Sequence, residues 1–190
     1  MTSHVSEIFD FEGAAPAKGY INVLGFYHGL TFDNVGVADK ALFKNQSPNN
    51  GYMKAGAGHD VAFTYDGGGG LFHSSGESFT LKVGTFASAW ENGEVVTFSA
   101  YKNGALTGTQ VVTLNQAKSV IHFNAGFQHI DQVTLSAIDG VQAPNSLGGK
   151  QLAMDTVRVV WDGGIPASGA DLYHHDASAY HAVHAGDFLL

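Results

Sequence analysis

The 190-residue chain has no cysteine and little charge: Asp, Glu, Lys and Arg together make up 14% of it. Without a thiol there is no cysteine nucleophile, although the absence says little about redox compartment. Basic residues are the scarcer sign, with 9 Lys and Arg against 17 Asp and Glu, a formal net charge of −8. No basic cluster occurs, which argues against nucleic acid or an anionic membrane as partner. No apolar run approaches the roughly 18 residues of a spanning helix. Met1 to Glu12 has neither a basic flank nor an apolar stretch of signal-peptide type, so no Sec leader is expected. Gly-x-Ser-x-Gly and a phosphate-binding glycine loop with lysine are also missing, and an enzyme is not expected.

What remains is rich in strand formers and turn formers. Hydrophobic residues reach 44%, with 25 Gly and 13 Phe, a globular composition that favours an all-β chain over a helical one. Period-two alternation recurs at Phe79-Leu81-Val83, Val96-Phe98-Ala100, Val133-Leu135-Ala137 and Val157-Val159-Trp161. Each run reads as a strand with one buried face. Asn92-Gly93 and Asn103-Gly104 lie between such runs and predict tight hairpins, because Asn and Gly tolerate positive φ. Asp66 to Gly70 reads as a flexible tip and Pro144 to Gly149 as a loop. Strands at this spacing predict an antiparallel β-sandwich, jelly-roll-like, with a short C-terminal tail. The expected division is residues 1–162 for the sandwich and 163–190 for a linker and tail.

Two acid-bearing segments bracket the sandwich: Phe9-Asp10-Phe11-Glu12-Gly13 near its start and Met154-Asp155-Thr156-Val157-Arg158-Val159 near its end. If the first and last strands lie side by side, Asp10, Glu12 and Asp155 can share a cation. Calcium suits them, since it takes 6–8 oxygen ligands. On a strand, Asp10 and Glu12 would point to one face and Phe9 and Phe11 to the other. The alternative is that these are ordinary strand-end acids facing water. Trp90, with Tyr27, Tyr52 and Tyr101, could stack on a sugar ring while Asn34 bonds its hydroxyls; packing of Trp90 into the sandwich core is the competing reading. Trp161 reads as core.

Other groups carry further options. The tail holds His174, His175, His181 and His184, and His28, His59 and His73 lie upstream. Imidazoles so grouped could capture haem iron, zinc or another transition metal, or they could belong to a solvated tail. Glu91 with Glu94, or Asp33 with Asp39, could form a glycosidase-like carboxylate pair. Free strand edges would also permit self-assembly into an extracellular layer.

The bracketing segments resemble the frame of calcium-containing jelly-roll carbohydrate-binding modules. The middle is similar to bacterial secreted β-sandwich domains, through Gly25-Phe26, Phe32-Asp33-Asn34-Val35, Ser47-Pro48-Asn49-Asn50-Gly51-Tyr52, Phe86 to Gly93 and Phe98 to Gly104. The resemblance runs over roughly residues 7–161. It implies a calcium ion at Glu12 and Asp155, and a carbohydrate or cell-surface ligand. The terminal Asp187-Phe188-Leu189-Leu190 resembles the end of type I secretion substrates, which implies that export machinery as a partner and an extracellular location.

Overall fold

A computed structural model describes residues 4–16, 20–44, 49–144 and 149–163. Along the chain the strands are β1 (Val5–Phe9), β2 (Ile21–Val23), β3 (Phe26–Tyr27), β4 (Leu30–Phe32), β5 (Val35–Asp39), β6 (Asp60–Thr64) and β7 (Gly68–Ser74). They continue as β8 (Phe79–Ser88), β9 (Glu91–Asn92), β10 (Glu94–Lys102), β11 (Ala105–Leu114), β12 (Ser119–His122), β13 (Gln132–Ile138), β14 (Val141–Gln142) and β15 (Leu152–Trp161). Two one-turn helices, α1 (Ala41–Lys44) and α2 (Gly51–Lys54), interrupt the first half. The protein is an all-β sandwich, as the alternation predicts.

One sheet has seven strands, in the order β12-β8-β15-β6-β5-β2, with β1 also paired to β15. The other has six, in the order β11-β10-β13-β7-β4-β3, and β14 and β9 form a separate ribbon. The first and last strands do lie side by side: β1 runs antiparallel to β15, from Val5 opposite Trp161 to Phe9 opposite Val157. β6 takes the other half of the same edge of β15, at Ala153 and Met154. Phe9, Phe72, Phe79, Phe86, Phe98 and Trp161 fill the space between the sheets, each at 1% exposure or less. The alternating positions Val96, Phe98 and Ala100 point inward, as their period requires.

A second, smaller core lies on the other side of the seven-stranded sheet. Ala38, Val61, Phe63, Ala87 and Ala153 meet Phe43 and Tyr52 from α1 and α2, the latter two stacked at 3.9 Å between centroids. Strand β6 is therefore buried at every position. Asn50 holds the two helices together: its Oδ1 accepts from Met53 N at 3.0 Å and its Nδ2 donates to Phe43 O at 3.0 Å. This is N-capping joined to a second, interhelical bond.

One long side of the sandwich is closed by amide side chains. Gln110 on β11 donates to His122 O and accepts from Asn124 N, both at 3.0 Å, and Asn124 Nδ2 donates to Thr109 O at 3.0 Å. These bonds join the edges of the two sheets and occupy part of an edge that could otherwise recruit a strand.

Four local expectations meet different outcomes. Asn103-Gly104 forms the expected tight hairpin between β10 and β11, with φ of 50° and 76°. Asn92-Gly93 does not: β9 pairs with β14, while β10 lies in the six-stranded sheet, so the turn carries the chain between layers. Gly68 to Gly70 is the start of strand β7 rather than a flexible tip, because β13 pairs with it at Ser136, Leu135 and Thr134. Strand β1 stops at Phe9, and Phe11 takes a φ of 61°, so Asp10 to Gly13 is a turn and not a strand. Residues 164–190, which contain most of the proposed linker and tail, lie outside the described residues.

The packing of α2 gives a direct test. A Cβ built on Gly51 would lie 2.0 Å from the Ser88 carbonyl oxygen, a backbone atom that cannot swing aside. Gly51→Ala should therefore lower stability by about 1–3 kcal/mol in a denaturant titration.

Candidate functional site

The pairing of β1 with β15 brings the turn after β1 close to an irregularity in β15. The register of β15 against β8 shifts between Asp155 and Arg158, and Thr156 adopts a φ of 50°. That conformation is costly for a β-branched residue. Asp155 compensates: its Oδ1 accepts from Thr156 N at 2.6 Å and Oγ1 at 3.2 Å. The Oδ2 of Asp155 lies 3.5 Å from Lys40 Nζ, with both side chains buried. Lys40 Nζ also donates to the carbonyls of Gly56, Ala57 and Gly58, at 3.0, 3.3 and 3.3 Å. The lysine ammonium is thus the cation facing Asp155, enclosed by three carbonyls and a carboxylate. Burial pushes the Asp155 carboxyl above its usual range, opposed by Lys40 and by the Thr156 bonds.

Glu12 serves the same loop by a different route. Its Oε1 accepts from Asp60 N and its Oε2 from His59 N, both at 3.2 Å. Asp60 Oδ2 returns the contact by accepting from Gly13 N at 2.8 Å and Ala15 N at 3.3 Å. Gly56 and Gly58 are needed for this approach, because a Cβ on either would lie 1.6 Å from a carboxylate oxygen, of Asp155 and of Glu12 respectively. Asp10 is spent locally, with its Oδ1 accepting from Glu12 N at 3.2 Å. Glu12 and Asp155 therefore flank one glycine loop, yet Asp10, Glu12 and Asp155 do not converge on one point. Among the described residues no group of three His, Asp or Glu side chains could hold a metal ion.

The residues expected to stack on a sugar are largely interior. Trp90, Tyr52 and Tyr27 are buried, at 3%, 1% and 6% exposure. Trp90 Nε1 and Tyr52 Oη both donate to Gln151 Oε1 at 2.6 Å, which satisfies their polar atoms inside the second core. Tyr27 stacks against Phe11 in the main core. The core-packing reading of Trp90 is the one its burial bears out, and Trp161 is core as expected. Asn34 takes a φ of 57° and donates from Nδ2 to Asp66 Oδ1 and Gly68 O, at 2.8 and 2.9 Å, so its amide ties a turn to the start of β7. His174, His175, His181 and His184 lie outside the described residues. His28 bonds Glu7 at 2.6 Å and His73 bonds Asp33 at 2.9 Å, while His59 is exposed.

A broad open surface lies elsewhere, on the outer face of the six-stranded sheet. The pairings place Leu106, Tyr101, Gln132, His73, Thr31 and Phe26 in one row across all six strands. With strands ~4.8 Å apart the row spans about 24 Å. Next to it run Thr109-Ser99-Thr134 and Val111-Thr97-Ser136. These positions are half-buried or exposed, and none of them is Asp, Glu, Lys or Arg. Hydroxyls, one amide and two aromatic rings dominate. The imidazole of His73 is held by Asp33 beside the row. Alternation alone marks Thr97, Ser99 and Tyr101 as outward-facing; that this sheet is the one left open follows from α1 and α2 covering the other.

The other notable feature is a carboxylate pair at the start of β10. Glu94 points inward with Val96 and Phe98 and has no exposure. Neither of its oxygens has an aligned hydrogen-bond partner. Glu91 is also buried, and its Oε2 accepts from Gly140 N at 2.6 Å. Burial pushes the Glu94 carboxyl up from 4.5 to about 7; the carboxylates of Glu91 and Asp139 push the same way, while Ser88 and Lys150 oppose them. Asp33 and Asp39 do not form a pair: Asp33 holds His73, and Asp39 accepts from Ala41 N at 2.8 Å.

Two outcomes follow. Lys40→Met leaves Asp155 buried without its cation and should cost about 3–5 kcal/mol in chemical denaturation; Lys40→Met with Asp155→Leu should recover much of that loss. Because the folded-state pKa of Glu94 is raised, the folded protein binds its proton more tightly than the unfolded chain does. Stability from this group is full below about pH 4.5 and is lost as the pH rises to about 7, by roughly 3 kcal/mol in divalent-free buffer. Thermal melts of Glu94→Gln should lack that slope; an unchanged slope would place the titration elsewhere.

No protein-family model matches the chain, and no curated protein matches it. Among solved structures, it is similar to a DUF4465 family protein from Bacteroides ovatus, with 9% sequence identity, a TM-score of 0.46 and 84% of each chain covered.

Proposed function

We propose that this protein is an extracellular binding module that presents the outer face of its six-stranded sheet to a neutral polysaccharide. The observation that carries this reading is the asymmetry of the two sheets. One outer face is buried under α1 and α2. The other exposes a row about 24 Å long with no Asp, Glu, Lys or Arg in it, centred on Tyr101 and Gln132 and flanked by Thr and Ser hydroxyls.

Sugars are bound by such groups. Hydroxyl and amide side chains exchange hydrogen bonds with a glycan, and a ring face covers the apolar side of a pyranose. A flat sheet surface suits an extended chain better than a small molecule, which would need a concave pocket. The lack of lysine and arginine along these rows disfavours a uronic or sulfated polymer. Tyr101 and Gln132, adjacent across β10 and β13, form the centre of the contact, replacing the buried Trp90 and Tyr52 in that role.

Affinity electrophoresis against neutral and acidic polysaccharides tests the reading. Retardation on at least one neutral polymer is expected, reduced about tenfold or more by Tyr101→Ala with Gln132→Ala and with no change in melting temperature. Failure to bind every neutral polymer in a broad panel would overturn it.

A further inference from the structure

We propose that Glu91 and Glu94 form a buried site for a hard divalent cation, calcium, at the end of the sandwich where β10 begins. This site is separate from the Glu12–Asp155 bracket and from the open sheet face.

The described buried acids are neutralised in different ways. Asp155 has the Lys40 ammonium at 3.5 Å. Asp60 accepts two backbone N–H bonds. Glu94 is as deeply buried as either and has neither. A carboxylate left so is costly. A neighbouring acid adds to the cost: Glu91 is buried too, and Gly140 N donates to its Oε2, with Oε1 as its second oxygen. Lys150 opposes the pair only weakly, since it is partly exposed and is held by Asp139 at 3.3 Å.

The donors available are all oxygens: both carboxylate oxygens of Glu94, Glu91 Oε1 and the Ser88 hydroxyl, whose Oγ accepts from Glu91 N at 3.2 Å. Such a set selects a hard cation over zinc or copper, which favour nitrogen and sulfur ligands. Calcium fits better than magnesium, because magnesium retains several waters and requires near-octahedral geometry. The local framework is firm. Trp90 and Tyr52 are locked onto Gln151 next to the pair, and Gly140 packs so tightly on the Asn92–Glu94 backbone that a Cβ would lie 2.4 Å from Asn92 O.

The experiment compares the full chain with Glu94→Gln and with Glu12→Gln. Each is stripped with chelator and melted at fixed pH 7.5 across a titration of calcium chloride, with magnesium chloride as control. Wild type should gain about 5–10 °C at a hundredfold excess over Kd. Glu94→Gln, a neutral isostere that relieves the buried charge, should fold and show no gain, while Glu12→Gln keeps it. Terbium chloride added to the stripped protein should give tryptophan-sensitised luminescence that calcium competes away, again absent in Glu94→Gln. A wild type indifferent to calcium and terbium would show that Glu94 simply holds a proton. A gain lost in Glu12→Gln but kept in Glu94→Gln would place the cation at the bracket. Either result overturns the proposal.

Discussion

The antiparallel pairing of β1 with the C-terminal half of β15 organises the rest of the molecule. It places Phe9 and Phe11 under the main core and delivers Glu12 to the loop that β15 also approaches through Asp155. Once there, the two carboxylates have different roles. Glu12 fixes the loop backbone at His59 and Asp60. Asp155 holds Lys40, and Lys40 in turn gathers three successive carbonyls. A charge pair out of water is seldom a large net gain over apolar packing, but removing one partner is severe. The cluster is therefore best understood as a lock that sets where the two chain ends of the sandwich meet.

Charge is handled differently at the start of β10. The bracket is balanced internally by an ammonium and by backbone N–H groups. Glu94, in contrast, occupies an inward position of an otherwise apolar alternating strand. With few charged residues in the chain, the two neighbouring acids buried at 91 and 94 depart, as the Lys40–Asp155 lock does, from the rule of apolar inside and polar outside. Departures of this kind concentrate at sites with a task.

The sheets are unequal because both described α-helices pack on one of them. Helices α1 and α2 pack over β5, β6, β8 and β15 and convert that outer face into a second core. The six-stranded sheet keeps its outer face, and the same alternation that buries Val96, Phe98 and Leu135 turns Thr97, Ser99, Tyr101 and Thr134 outward. The open face is thus a consequence of where two short helices dock, through Asn50 and Gly51, rather than of any motif within the face itself.

Much of the fold was legible in the residues. Period-two alternation marks β8, β10, β13 and β15 because burial of one sheet face imposes it. Asn103-Gly104 marks its hairpin because few residue pairs accept two positive φ values. The bracket of Glu12 and Asp155 was conditional on the first and last strands meeting, and β1 does pair with β15. What the sequence could not determine depended on contacts distant along the chain. Nothing near Asp155 announces that Lys40, 115 positions earlier, is its partner. Nothing near Asn92-Gly93 shows that the chain changes sheet there. Trp90 and Tyr52 are buried and both bond Gln151, and Tyr101 stays at the surface because neither described α-helix packs on its sheet. Local preference sets strand and turn, since it acts over neighbouring residues. Burial, charge pairing and the identity of the open face are set by packing between segments that only the tertiary structure brings together.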